Sequence, residues 1–574
     1  MNKFFKLIIL LGFCFSSAYN IYASYNVPNT VRIGLEYKYK NVSKVPITED
    51  SILIGSNGVV DTQIDGSGKG FSVNITNENF VKLSYVSNNY NDVFEYCLNY
   101  ENAFPAYIGK DLWGVYLGGY KNYNDALLKA NELGATVSKA DNDKMILKDG
   151  EWTILIFDNI NPQIKATNKS NITLNDRSYR GVIEFGRYRG KNITAVNVVN
   201  IDDYLYSVVP SEMPASYHQE ALKAQAIAAR TYTTTNLHVH NLDGYELCDN
   251  IHCQMYKGFD NENDKTNKAV DDTKGLIAYY NNIPINAVFH ASSGGHTANS
   301  EDVWIEQTPY LKGVPEINEL DRNNWTRTYT TSDIEAIVTA KGDKIGKVKD
   351  IVISKISQTG HITELKIVGT TGTKTLKNEN IRSYFSPNGG SLESRIFTIN
   401  DKGSYPIGNA TTEYIPSDNN GVNNDFKEEI NENNDKNEYY VLGSKGNKKI
   451  YYVNNTYISG ANGNTVSKKN NIIVQDIKGN TNSYYSNQNQ SQNVKNLENN
   501  NNITFDASKP NIGSNMNISN TPVSTANSSG NFVFKGYGWG HGAGMSQKGA
   551  NGMAQMGYTY KQILEYYYTG IEVK

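Results

Sequence analysis

The sequence predicts a β-rich α+β protein, with one main helix beside its chemistry-bearing residues and a polar insert dividing the last folded unit. Three observations predict it. Apolar residues before position 400 fall mostly in short alternating or wholly apolar runs, such as VRIGLEYKY and ITAVNVVNI, the patterns of strands. One Ala-rich stretch at about 217–236 has helical spacing instead. Residues 401–530 are rich in Asn, Ser, Asp, Lys and Gly and poor in large aliphatics. That is too little apolar surface to offset chain entropy, so this insert is expected to be disordered. With 574 residues, and about 100–200 residues per domain, two or three folded units are expected. A net charge of -3 lacks the concentrated basic surface of a nucleic-acid binder. Tyr (41) outnumbers Phe (18), a polar-aromatic balance suited to extracellular surfaces and sugars.

The elements follow in order. Lys3 and Lys6 precede an apolar run from Leu7 to Phe15, and small residues lead to Ala23-Ser24. The run is shorter than the ~20 residues that span a bilayer, so residues 1–23 read as a secretory signal peptide. The other reading is an uncleaved anchor reaching Tyr22, the only membrane contact the sequence offers. Phe13 stands before Cys14 where lipidation wants a small residue. The protein is thus expected outside the cytoplasm, secreted or anchored, with Cys97, Cys248 and Cys253 left after cleavage, an odd number that disulfides alone do not use up. Residues 24–95 read as short antiparallel strands. In 96–160, DLWGVYLGGY reads as a strand ending at a Gly turn and NYNDALLKANELG as a helix capped by Asn122 or Asn124 and closed by Gly134. TVSKADNDKMILKDGEWTILIFD supplies two more strands. This strand–helix–strand–strand unit resembles a sporulation-related repeat (SPOR) domain, which implies a small peptidoglycan-binding module; the plain alternative is an α+β packing insert. Residues 175–400 read as one α+β domain, with RGVIEFGRY, ITAVNVVNI, INAVFHA and ITELKIV as strands around the main helix. Within the insert, YYVLGSKGNKKIYYVNN to NNIIVQDI reads as a small hairpin. Apolar order returns at NFVFKGYGWGHG, and residues 531–574, with a helix at 559–567, are expected to fold back onto the 175–400 domain.

Seven of the eight histidines, all but His361, fall in three windows, 210–260, 288–316 and 535–557, with Cys248 and Cys253 in the first. Such clustering predicts that the windows are neighbours in space. In the first window Val208-Val209 reads as the end of a buried strand. Pro210 and Pro214 then bracket a turn holding Ser211, Glu212 and Met213, before a Ser216/Gln219 capping box opens the helix. Leu222, Ala226 and Ala229 form its core face. A carboxyl on such a turn, beside apolar Val209 and Met213, is placed to have a raised pKa and serve as general acid or base. The same residues also fit a solvated loop glutamate. Glu220 complements the helix dipole. Asp202 and Asp203 are either turn caps or a second carboxyl for a hydrolase. Cys248 and Cys253 lie four residues apart with His238, His240 and His252 nearby, a donor set for tetrahedral zinc. Cys248, Cys253 and His240 are the preferred ligands. His252 adjoins Cys253 and is the alternative fourth. The competing reading is a Cys248–Cys253 disulfide. Ser292-Ser293-Gly294-Gly295-His296 lets backbone amides approach a ligand closely, and no G-x-S-x-G elbow points to a serine nucleophile. Trp539, Tyr537 and His541 among glycines offer an aromatic floor for pyranose rings; His541 is also a zinc-ligand candidate, and the glycines also fit simple tight turns.

Three blocks, VVPSEMPASYHQEALKAQAIAARTYT, FHASSGGHTANSEDVWIEQTPYLKGV and GYGWGHGAGMSQKGANGMAQMGYTYKQILEYYYTG, resemble the stage II sporulation protein D/LytB family in order and content, with Ala543 where Val is common. The resemblance implies a peptidoglycan lytic transglycosylase with Glu212 as acid/base. The enzyme would cut the MurNAc–GlcNAc bond and leave a 1,6-anhydroMurNAc end, so that one carboxyl suffices where a hydrolase needs two. It implies a sugar-contacting set of Ser211, Met213, Gln254, Tyr256, Ser292, Ser293, Gly294, Gly295, His296, Trp539, His541, Ser546 and Gln547. It also implies a structural zinc in some members, peptide-free glycan strands as substrate, a cell-wall amidase as partner, and engulfment in sporulation as setting. The LytB branch offers the alternative, a non-catalytic amidase enhancer that binds peptidoglycan. A zinc peptidase lacks its H-E-x-x-H helix here.

Overall fold

The computed structural model describes residues 27–404, 522–526 and 530–574, apart from 110–111, 142, 189–191, 320 and 387–390, and only short strands within 405–521. The leader at 1–23 lies outside the described residues, as does most of the insert expected to be disordered. The island expected as one hairpin carries Tyr440–Leu442 paired with Lys448–Ile450, and a separate four-stranded meander from Tyr457–Gly460 to Thr481–Tyr485.

The described protein is α+β and rich in sheets, as its alternating runs predict. A seven-stranded sheet joins segments far apart in sequence, in the order 247–248, 30–34, 194–200, 182–186, 163–166, 51–56, 59–65. Thr30–Gly34 pairs antiparallel with Thr194–Asn200 and parallel with Leu247–Cys248. The region expected at 24–95 is divided between two sheets: strands 30–34, 51–56 and 59–65 join the sheet that carries the Cys/His segment, and 44–47, 71–75 and 79–87 join another.

An eight-stranded sheet holds the 96–160 segment. The strand–helix unit begins earlier than the sequence pattern indicates. Strand Asn79–Ser87, helix Tyr90–Cys97, strands Ala103–Gly109 and Leu112–Tyr120, helix Tyr123–Glu132 and strand Thr136–Ser138 form a split β-α-β-β-α-β motif. The first helix escapes the pattern because it is two turns long and buries only Val93 and Cys97. Its cap is Asn89, which accepts from the Asn91 amide at 2.8 Å. Asn122 caps the second helix in the same way. Cys97 is a buried core thiol, and burial pushes its pKa up to about 12.

The stretch 175–400 divides. Residues 325–399 have their own hydrophobic core, with Ile351, Ile353, Leu365, Ile367, Phe397 and Phe534 at its centre. Strand Asn531–Tyr537 lies between Trp325–Thr330 and Ile396–Ile399, so the segment after the insert returns to the folded body. The two ends of the insert meet: Lys402 Nζ donates to the Ser524 carbonyl at 3.0 Å and Asn400 Nδ2 to the Thr525 carbonyl at 2.8 Å. Beyond, helices Gln547–Gln555 and Tyr560–Tyr567 pack on the long helix Gln219–Thr235. The second of them lies where the sequence places a helix, at 559–567, and opens on a Thr559/Gln562 capping box.

Residues Ile201–Glu212 are helical, not strand and turn. Asn200 caps this helix, and Tyr204, Leu205, Val208 and Val209 form a buried face at helical spacing. The β-branched pair and Pro210 obscured that spacing. The Ser216/Gln219 box does not form either; His218 is the cap of the long helix, accepting from the Glu220 amide.

Candidate functional site

Glu212 is the last residue of its helix, where the dipole disfavours a negative charge. The side chain is partly buried, and burial raises its pKa above the ordinary carboxyl value. Opposing this, the Met255 amide donates to Oε1 at 2.8 Å, the Gln547 side chain hydrogen-bonds the carboxylate, and the Lys257 charge favours ionisation. A carboxyl so balanced can give up a proton and take one back. Gln547 comes from the block beyond the insert, so the first and last sequence windows do meet. Its amide lies 3.5 Å from buried Gln225.

The nearest upstream acids are engaged elsewhere. Asp202 pairs with fully buried Arg230 at 3.0 Å, and Asp203 faces Arg180 at 3.9 Å. Glu220 accepts from the Tyr560 amide at 2.8 Å and so anchors the C-terminal helix. Ser211 donates to the Ser207 carbonyl at 2.7 Å, and Met213 is fully buried. Gln254 and Tyr256, expected to orient a sugar, are buried instead. The Gln254 amide bonds Tyr204, Thr233 and the Ala229 carbonyl, and the Tyr256 hydroxyl donates to Asn197 at 2.7 Å. They fix the segment that carries Met255.

That segment also carries the Cys/His cluster. One ligand atom from each of His240, Cys248, His252 and Cys253 lies within 4.8 Å of all the others. His240 Nε2 is 3.2 Å from His252 Nδ1, which is 3.8 Å from Cys248 Sγ and 3.6 Å from Cys253 Sγ. A zinc tetrahedron with bonds of about 2.0 Å to N and 2.3 Å to S has edges of about 3.3–3.8 Å, so the donor set fits. Exposed His252 and half-buried Cys253, though adjacent in sequence, both bring a donor atom to this group. Cys248 and Cys253 are free thiols, with no disulfide among the described residues. Asp243 sits 3.1 Å from His240 Nδ1, the carboxylate that orients a ligating imidazole. Glu36, brought in by the first strand, accepts from Asn250 at 3.1 Å. Neither acid was singled out from sequence, and Glu36 lies two hundred residues away.

The SSGGH loop is organised by an acid the sequence reading passed over. Buried Glu319 accepts from Ser292 Oγ (2.8 Å), the Ser293 amide (2.9 Å) and Oγ (3.1 Å), the Gly295 amide (2.8 Å) and Ser546 Oγ (3.2 Å). Ser292, Ser293, Gly295 and Ser546 are thus held inward. Gly294 has φ +77°, and a Cβ there would meet the Tyr537 carbonyl, so this close approach requires glycine. Beside Glu319, buried Glu316 accepts from the Tyr567 hydroxyl at 2.6 Å, and burial with the neighbouring carboxylate pushes its pKa up to about 8. The signal available in sequence was two Glu three residues apart at the end of the second window.

His541 faces inward. Its Nδ1 accepts from the Ala543 amide at 3.1 Å, and its ring lies 5.5 Å from His290 and 5.1 Å from Trp304. It therefore sits with His290, His296 and His361 rather than with the cysteines; burial lowers the pKa of all four. His361, the histidine outside the windows, belongs to this group. His296 Nδ1 faces the Thr297 carbonyl at 2.7 Å. Trp539 is 53% exposed, as an aromatic floor requires.

Comparison with known proteins gives two family matches: residues 189–280 match the family described as Stage II sporulation protein, and residues 314–415 match a domain of unknown function. The second covers most of the separate core. The chain is 28% identical over 418 residues to the amidase enhancer of Bacillus subtilis (strain 168), covering 72% of this chain and 46% of that protein. It is 32% identical over 226 residues to stage II sporulation protein D of the same organism, 36% of this chain and 63% of that protein. To stage II sporulation protein D of Bacillus amyloliquefaciens it is 33% identical over 181 residues, 28% of this chain and 52% of that protein. The chain thus spans about half the length of the curated relatives it matches.

Proposed function

We propose, on the premise that the chain carries a domain of the stage II sporulation protein D/LytB family at residues 189–280, that it is a peptidoglycan lytic transglycosylase. The observation that carries this reading is the setting of Glu212: a carboxyl with raised pKa, one backbone donor and one Gln donor, and its neighbouring acids already paired. Protonated Glu212 gives its proton to the oxygen between MurNAc and GlcNAc as that bond breaks. The resulting carboxylate, held by the Met255 amide and Gln547, then takes the proton of the C6 hydroxyl of the same MurNAc. That oxygen closes on C1, and the product is a 1,6-anhydro ring. One group serves as acid and then base.

His240, Cys248, His252 and Cys253 would hold a zinc ion, which when bound would supply a closed structural crosslink with no open position for substrate. Their own contribution is to set the loop that presents the Met255 amide to Glu212. Peptide-free glycan is the proposed substrate, with Trp539 as a stacking surface and the split motif at 79–138 as an accessory binding unit. The cell wall, outside the cytoplasm, is the proposed location, in sporulation. No described helix is long and apolar enough to cross a membrane.

Purified sacculi should yield anhydro-muropeptides by mass spectrometry with the wild type, and at least about a hundredfold fewer with Glu212→Gln. Equal yields would overturn the reading, and reducing-end products would mean a hydrolase. The second reading, an amidase enhancer, draws on the relative of that name, whose match covers 72% of the chain. It expects a cell-wall amidase to be stimulated equally by the wild type and by Glu212→Gln.

A further inference from the structure

Three large apolar side chains near His541 in space or in sequence are exposed: Trp304, at 43%, whose ring lies 5.1 Å from the His541 ring, its neighbour Ile305 at 80%, and Trp539, two residues before His541, at 53%. Ile305 has φ +81° and ψ -40°. A β-branched residue strongly disfavours that backbone, and its side chain here packs on nothing that would repay the strain. Glycine would end the short helix Ser300–Trp304 at no such cost.

The strained corner is rigidly mounted. Arg395, buried in the protein, donates through Nη1 to the Asp302 carbonyl at 2.6 Å and through Nη2 to the His541 carbonyl at 3.2 Å. One guanidinium therefore ties the Trp304 helix to the GWGHG loop. Trp304 lies against the His541 ring at 5.1 Å, and Trp539 is fixed two residues away by paired backbone bonds with Ser292 at 3.1 and 2.8 Å. From Trp539 the chain runs directly to Gln547 at Glu212, eight residues that span at most about 28 Å. Trp539 and the acid are thus ends of one continuous segment, within the length of a few sugar rings.

We infer that Trp304 and Ile305, on the short helix tied by Arg395 to the loop that carries Trp539, form a second pyranose-binding subsite for the glycan strand held at Glu212. Flat indole faces suit the C–H faces of pyranose rings, and Ile305 extends the apolar shelf at the price of its backbone strain. The inference rests on the glycan reading above. It is tested in the Glu212→Gln background, where the strand is not cut, by measuring binding to purified peptide-free glycan strands and thermal midpoints. W304A and I305G should each weaken binding about tenfold, and I305G should melt no lower than its parent because the strain is relieved. I283A removes an exposed apolar side chain, 56% accessible, that has no part in the site and should bind like the parent. Parent-like binding by W304A overturns the inference, as does an equal loss in I283A, or unchanged glycan binding with lost binding to a cell-wall amidase. A parent that binds no glycan overturns the premise instead. A parent that binds, beside a wild type that makes no anhydro products, overturns only the transglycosylase reading.

Discussion

At the scale of single residues, the balance on Glu212 sets a pH dependence. Burial holds its proton, while the Met255 and Gln547 hydrogen bonds favour the carboxylate. Activity that needs the protonated acid falls as pH rises through the pKa, so removing a donor to the carboxylate moves that fall upward. Gln547→Leu is expected to shift the alkaline limb of kcat/KM up by about 0.5–1 pH unit, the size of one lost hydrogen bond. An unshifted or downward-shifted limb would contradict the assignment. Glu316 makes the complementary statement about stability. Its folded pKa of about 8 lies above the ordinary carboxyl value, so the folded state binds a proton that the unfolded chain has released. Stability from this group is complete below the unfolded pKa and is lost as pH rises toward 8. Glu316→Gln should flatten the thermal midpoint across that window and melt above the wild type at pH 8. Glu212 was singled out in sequence by the block VVPSEMPASYH and its resemblance to the family, since its flanking prolines and apolar neighbours also fit a solvated loop glutamate. Glu316 and Glu319 were not, since what singles them out is burial among groups from 292–295, 546 and 567.

At the scale of elements, the segment 240–256 is the least regular part of the site and does much to shape it. Its backbone is fixed by the buried bonds of Gln254 and Tyr256 on one side and by the Cys/His cluster on the other. Metal analysis of the purified protein should find about one zinc per chain, lost in Cys248→Ser. The thermal midpoint should fall with it by roughly 5–10 °C, as expected when a few kcal/mol of metal-coupled folding energy go. Zinc-free wild type with an unchanged midpoint would refute the site. The donor types were readable from spacing, while the placing of His252 beside the other three donors depends on geometry that sequence adjacency does not reveal. Helix Ile201–Glu212 shows the opposite failure. Val208, Val209 and Pro210 have strand or turn preferences, and the tertiary burial of four apolar residues at helical spacing overrides them.

At the scale of the molecule, sequence windows located the site while strand pairing defined its frame. Which strands share a sheet depends on contacts across hundreds of residues, such as Thr30–Gly34 with Leu247–Cys248, and no local period records them. The meeting of Lys402 with Ser524 and Asn400 with Thr525 implies that the insert closes on itself. Replacing residues 405–521 with a short Gly/Ser linker is expected to leave the thermal midpoint and any glycan cleavage within error of the wild type, since a shorter loop costs less entropy to close. A collapse of either would show that the insert is part of the fold.

Strand Asn531–Tyr537, seated between two strands from the other side of the insert, has one more consequence. A protease cut between 405 and 521 severs the chain without freeing either piece. The C-terminal fragment remains bolted in by hydrogen bonds on both edges and by Phe532 and Phe534 in the core. A nicked molecule is then a two-piece protein that keeps Gln547 beside Glu212. Scission within the insert thus leaves the site assembled.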